Sequence, residues 1–170
     1  MDDGLLLLRM VFGLLMAAHG AQKLFGWFGG HGLNATAGFL EGLGFRPGRF
    51  FAATAASTEI ASGLLMLLGL FGAVGPALMV SVMVVAAVSV HWKGGLFASE
   101  GGIEVSLLYG TVAAALTLVP PGRYSLDAFL RLTSFSTPTF GWLALGMGIA
   151  GGIANLLLRR PAPVAVQVAR

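Results

Sequence analysis

Residues 50–92 read FFAATAASTEIASGLLMLLGLFGAVGPALMVSVMVVAAVSVHW, a stretch whose one formal charge is Glu59. It divides into an apolar run from Phe50 to about Phe71 and a second from Pro76 to about Trp92. A helix rises 1.5 Å per residue, so about 20 apolar residues cross a hydrocarbon core of roughly 30 Å. Both runs are near that length. Only Gly72 to Gly75 separates them, which makes the two predicted helices antiparallel neighbours. Pro76 suits the opening turn of the second, where its missing N–H is not needed.

Three further runs lie outside this pair: Leu5 to about Phe25, Ile103 to Val119, and Phe140 to Leu158. The run from Ile103 is short and stops at Pro120-Pro121-Gly122, and the last is followed by Arg159-Arg160 and a Pro-containing tail. Of the 170 residues, 56% are hydrophobic and 10% charged, with a mean hydropathy of +0.87. A soluble domain carries about 25% charged residues, so the bilayer is the main solvent. Lipid cannot satisfy backbone groups, and helices satisfy their own. The fold class is therefore an all-α membrane protein. The sequence begins Met1-Asp2-Asp3 with no basic segment before the first run, which reads as a retained helix rather than a signal peptide.

The net charge of +3 does not mark a nucleic-acid partner. Lys and Arg stand singly or in pairs between apolar runs, as juxtamembrane anchors do. Trp27, Trp92 and Trp142 fall at run ends, where interfacial aromatic belts form. Five crossings put Lys23, Arg46, Arg49, Lys93, Arg159, Arg160 and Arg170 on one face and Arg9, Arg123 and Arg131 on the other. The richer face is expected to be cytoplasmic, with the N-terminus outside. The first loop, Gly26 to Gly48, holds a predicted short interfacial helix capped by Asn34, with Ala37, Leu40 and Leu43 at helical spacing. The glycines around His31 read either as a flexible approach to that helix or as a tight turn.

An ionisable side chain costs roughly 2.5 to 3.5 kcal/mol at the centre of a span unless it finds a partner or water. In the first run Arg9, His19 and Lys23 fall within about 80° of one another on the helical wheel, with Gly13, Met16 and Gly20 on or near that face. Glu59 lies near the midplane of the second run, and Ser62 and Gly63 share its face one turn on. His91 closes the third run, and Glu104 opens the fourth. These positions predict a polar pocket at the cytoplasmic side, with Glu59 ion-paired to Lys23 or hydrogen-bonded to His19 or His91. Arg9, Ser62, Glu104, Trp27 and Trp92 join it as candidate pocket residues. A purely structural reading has Lys23 and His91 snorkelling at helix ends and Glu59 holding the bundle in register. Glu59, His19 and His91 present no recognisable metal-ligand spacing, cysteine is absent, and no metal is assigned. Haem ligation by His19 and His91 has no motif behind it. Met66, Met79 and Met83 read as packing.

Five segments in order carry a family resemblance: LLLLRMVFGLLMAAHGAQKLFGWFGGHG from Leu5, TAGFLEGLGFRPG from Thr36, TEIASGLLMLLGLF from Thr58, VHWKGGLFASEGGIEVSLLYG from Val90, and PGRYSLD from Pro121. Together they resemble the DoxX family, small four-helix bacterial membrane proteins, over residues 5 to about 131. The resemblance implies a four-helix transmembrane core at 1–131, to which this chain adds a connection and fifth transmembrane helix at 132–158 and a basic Pro-containing tail at 159–170. In the fifth, Ala144, Gly148 and Gly152 recur every four residues and permit close helix contact. The resemblance further implies a subunit of a redox-associated complex in the inner (plasma) membrane, with membrane or soluble redox partners or a homo-oligomer, and it agrees on Arg9, His19, Lys23, Glu59, His91 and Glu104. Glu59 with His19 or His91 is expected to exchange protons with a quinone or similar small redox substrate while a partner supplies electrons. No flavin, haem or iron–sulfur motif is recognised, so no resident cofactor is assigned. A non-catalytic scaffold for soluble redox enzymes and a small transporter are the competing readings.

Overall fold

The computed structural model describes residues 1–160. The predicted tail beyond Arg160, Arg170 included, lies outside the described residues. Among the described residues the elements are α1 (Asp2–Phe25), α2 (Gly32–Gly42), α3 (Gly48–Leu68), α4 (Val74–Ala86), α5 (Glu104–Thr117), α6 (Leu126–Leu130) and α7 (Pro138–Leu157), with short 3₁₀ and π segments and no strand. Four helical stretches are long and apolar enough to cross a membrane: α1, α3, α7 and Val74–Gly94, the last being α4 with its π and 3₁₀ continuation. The 14 residues of α5 make about 21 Å of helix, shorter than a typical hydrocarbon core.

The helices pack where glycine lets backbones meet. At Gly13 an added Cβ would come within 2.8 Å of the Gly63 carbonyl, and at Gly20 within 2.6 Å of the Ala56 carbonyl, so α1 and α3 cross closely along their length. α4 packs between α3, α5 and α7. At their turn the Ser62 hydroxyl donates to the Gly75 carbonyl at 2.7 Å, a buried bond that replaces one Ser62 would lose to lipid. Met16, Met66, Met79, Val80, Ala113 and Leu116 form the centre. Leu7, Leu14, Leu64, Leu108, Met147 and Leu157 are exposed, the outward apolar surface that lipid solvates.

The two ends of the bundle differ. At one, Asp2 accepts from the Arg123 backbone N–H at 3.0 Å, joining the start of α1 to the chain after α5. At the other, Arg160 N–H donates to the Gly44 carbonyl at 2.7 Å, and Arg159 Nε donates to the Leu43 carbonyl. That second end carries Lys23, Arg46, Arg49, Lys93, Arg159 and Arg160, the grouping expected from five passes. Two local readings need correction. Asn34 sits inside α2, whose N-cap is His31 without a side-chain bond, because the chain enters the helix directly from Gly32 at positive φ. Helix α3 begins at Gly48, behind Pro47, not at Phe50.

Candidate functional site

Halfway along α3, the Glu59 residue is 1% exposed. Lys23, in the last turn of α1, extends its ammonium to Glu59 Oε1 and forms a buried-end ion pair. The Lys23 side chain keeps 38% of its surface exposed, so its stem lies along apolar surface while the head reaches the carboxylate. The second carboxylate oxygen, Oε2, is buried and has no hydrogen-bond partner among the described residues.

The pair lines a cavity of about 260 Å³. Its walls are mostly apolar, formed by Phe39 and Leu40 of α2, Phe45 and Phe51 at the entry to α3, and Val82 and Val85 of α4. Phe45, 2% exposed, packs its ring 5.4 Å from that of Phe51. Besides the ion pair, polar groups enter as Thr36 from α2, Thr54 and Thr58 from α3, Ser81 from α4, Ser89 and His91 from the π turn and Asn155 from α7. The π turn spans Ala87–His91, and its extra residue per turn turns Ser89, Val90 and His91 toward the cavity. The His91 Nδ1 lies 3.0 Å from the Gly101 carbonyl. A carbonyl only accepts, so in the neutral ring Nδ1 carries the proton and Nε2 is left as an acceptor.

The other residues singled out from sequence have different places. Arg9, 3% exposed, is not at this cavity. It is 14 residues from Lys23, about 21 Å along the helix, so a shared face does not mean a shared depth. Its guanidinium donates to the carbonyls of Met66 at 3.0 Å, Leu67 at 3.0 Å, Pro121 at 2.6 Å and Tyr124 at 3.1 Å. Two of these belong to the last turn of α3, where the helix dipole favours a cation; the Met66 carbonyl also accepts from the Gly69 N–H at 3.1 Å. Ser62 is committed to Gly75. His19 is exposed, with Nδ1 3.3 Å from Gln22 Oε1 and its ring edge-on to Tyr109 at 6.1 Å, and does not line the cavity. Glu104 accepts from the Ala98 N–H at 2.8 Å and closes the loop before α5. Trp27 and Trp92 are 59% and 66% exposed and stand outside the cavity at the basic end.

Sequence reasoning missed Asp127, whose carboxylate accepts from the N–H groups of Phe71 at 2.8 Å and Gly72 at 2.6 Å. These are the turn residues between α3 and α4, both at positive φ. The signal was the acid in PGRYSLD, behind the Ser125 that caps α6. Asn155, Thr54, Thr58 and Ser81 were also missed, since neutral polar residues in an apolar run carry no comparable cost to flag them.

The fold and this site define a multi-pass helical membrane protein with an apolar cavity built around a buried ion pair. The DoxX family matches residues 4–92, just over half of the chain, and the chain belongs to that family. The match spans α1 to α4, and the resemblance traced from residue 93 to 131 lies outside it. Neither a curated protein nor a solved structure matches the chain.

Proposed function

We propose that this chain is the membrane subunit of a redox-linked complex and that its cavity receives a quinone-type or similar small, largely apolar redox substrate. The observation that carries the reading is the Lys23–Glu59 pair at the wall of an otherwise apolar cavity, with one carboxylate oxygen unpartnered. Apolar pockets with a few convergent polar groups are the usual form of a small-molecule site. Reduction of a quinone takes two electrons and two protons, and its reversal releases them. Glu59 exchanges one of the two protons with the occupant and His91, on the same lining, the other. His19, away from the cavity, has no part in this exchange. The two electrons pass between the occupant and a partner protein.

The chain resides in the plasma membrane with its N-terminus outside and the basic end in the cytoplasm, where Arg46, Arg49 and Lys93 face a membrane-bound or soluble redox partner. A reporter fused after Arg170 should be active only in the cytoplasm, and activity on the other side overturns the orientation. Purification from native membranes in mild detergent, followed by mass spectrometry of co-purifying proteins and extracted lipophilic molecules, tests the function. A redox enzyme and a quinone-type molecule lost together in Phe45→Trp, which fills the cavity, support it. Retention of both by that variant removes the cavity from the function.

A further inference from the structure

The donor and acceptor pattern at Glu59 restricts what the cavity accepts. Paired with the Lys23 ammonium, the carboxylate is an acceptor at both oxygens. One is satisfied by Lys23, and the other, on a residue 1% exposed, has no partner among the described residues. Leaving a buried acceptor without a donor is costly, and more so when it is charged. An occupant that donates a hydrogen bond to Oε2 removes that penalty. An occupant whose polar atoms are only carbonyl or ether oxygens places lone pairs against lone pairs.

Charge narrows the class further. Lys23 and Glu59 neutralise each other, so an ammonium guest would add an uncompensated charge to walls of Phe39, Leu40, Phe45, Phe51, Val82 and Val85. A neutral hydroxyl supplies the donor without that penalty. The other polar groups on the lining differ from it: Thr36 donates to the Gly32 carbonyl, Ser89 to the Val85 carbonyl and Asn155 Nδ2 to the Gly151 carbonyl, the Thr54, Thr58 and Ser81 hydroxyls can donate as well as accept, and His91 Nε2 is a neutral acceptor. Glu59 is on the lining, and its Oε2 is the charged acceptor there, itself buried, that has no partner among the described residues.

We infer that the cavity selects a neutral, hydroxyl-bearing apolar molecule, bound through donation to Glu59 Oε2, over the carbonyl-only form of the same skeleton. The inference rests on the preceding reading that the cavity binds a small apolar molecule, and it ranks the oxidation levels: of a redox pair, the dihydroxy member binds the more tightly. Charge-assisted bonds contribute about 1.5–3 kcal/mol, so the preference is expected to be at least about tenfold.

The test uses the full chain in lipid nanodiscs and calorimetric titration with three ligands of one skeleton: a short-chain alkyl hydroquinone, its dimethyl ether and the matching benzoquinone. The hydroquinone is expected to bind at least about tenfold more tightly than either of the others. In Glu59→Gln the carboxamide presents a donor as well as an acceptor, and the ranking of hydroquinone over benzoquinone is expected to shrink to within about threefold. Equal affinities for all three in the unaltered protein, or tighter binding of the benzoquinone, overturn the inference and leave the cavity reading standing. Binding of none overturns both. The unaltered protein decides these outcomes alone, so the result does not depend on whether Glu59→Gln folds.

Discussion

Replacing Lys23 with Met strands the Glu59 carboxylate in an apolar wall, whereas replacing both residues removes the problem with the charge. Breaking a buried pair by deleting one partner costs about 3–5 kcal/mol, and the exposed part of Lys23 lowers this to about 1–3 kcal/mol. Lys23→Met should therefore melt at a lower temperature in detergent than the unaltered protein, and Lys23→Met/Glu59→Met should recover most of the loss. A double variant no more stable than the single one would show that the pair is not the reason for the cost. Arg9 gives the opposite pattern. Arg9→Lys keeps the charge but cannot reach four carbonyls in a planar fork, so stability should fall by about 2–4 kcal/mol with ligand affinity in the folded fraction unchanged. Thermal melts with and without ligand separate the two effects. The Lys23–Glu59 contact was legible as one of three alternatives, beside His19 and His91, because a lone midplane carboxylate must find a partner. The place of Arg9 was not, since the helical wheel discards the axial coordinate.

Among the elements, α7 was readable from its small residues, and the structure gives each of them a neighbour. An added Cβ at Gly148 would lie 2.5 Å from the Ala77 carbonyl, and at Gly152 2.8 Å from Val84 Cβ. Ala144 packs with Ala73 and Ala77. Gly146, on the same helix, has open space. Gly148→Leu should destabilise the α4–α7 seam by about 1–3 kcal/mol through overpacking, while Gly146→Leu should leave the melting temperature nearly unchanged. Equal effects would mean that helix propensity, not the seam, controls both. The existence of α1, α3, α4, α5 and α7 followed from apolar length, that of α2 from residue spacing, and α6 was not read from the sequence. The ends were less readable where turn chemistry decides them, as at Asn34, which offers a capping side chain although the helix already starts at Gly32.

At the scale of the whole molecule, the region matched by the family supplies Lys23, Glu59 and His91, yet the cavity is not finished until the chain returns in α7. Asn155 lies on the lining, and one turn later Arg159 and Arg160 fasten the end of α7 to the carbonyls of Leu43 and Gly44 between α2 and α3. Spacing alone could not reveal this, because which helix returns beside α4 is a matter of tertiary packing. The consequence is testable without touching the ion pair. Arg159→Ala removes a side-chain donor to Leu43 but keeps the Arg160 backbone bond, so the fold and the α4–α7 seam should survive. The α2–α3 turn should loosen: amide exchange at Phe45, whose N–H bonds the Leu40 carbonyl at 2.9 Å, should quicken by about three- to tenfold, the effect of losing about 1 kcal/mol of local stability. Because Phe39, Leu40 and Phe45 form the wall above Glu59, the same variant should release a cavity ligand faster, read as a higher off-rate at unchanged melting temperature. Unaltered exchange at Phe45 together with an unaltered off-rate would mean that α7 merely leans on the core and that the cavity is closed by α2 and α3 alone.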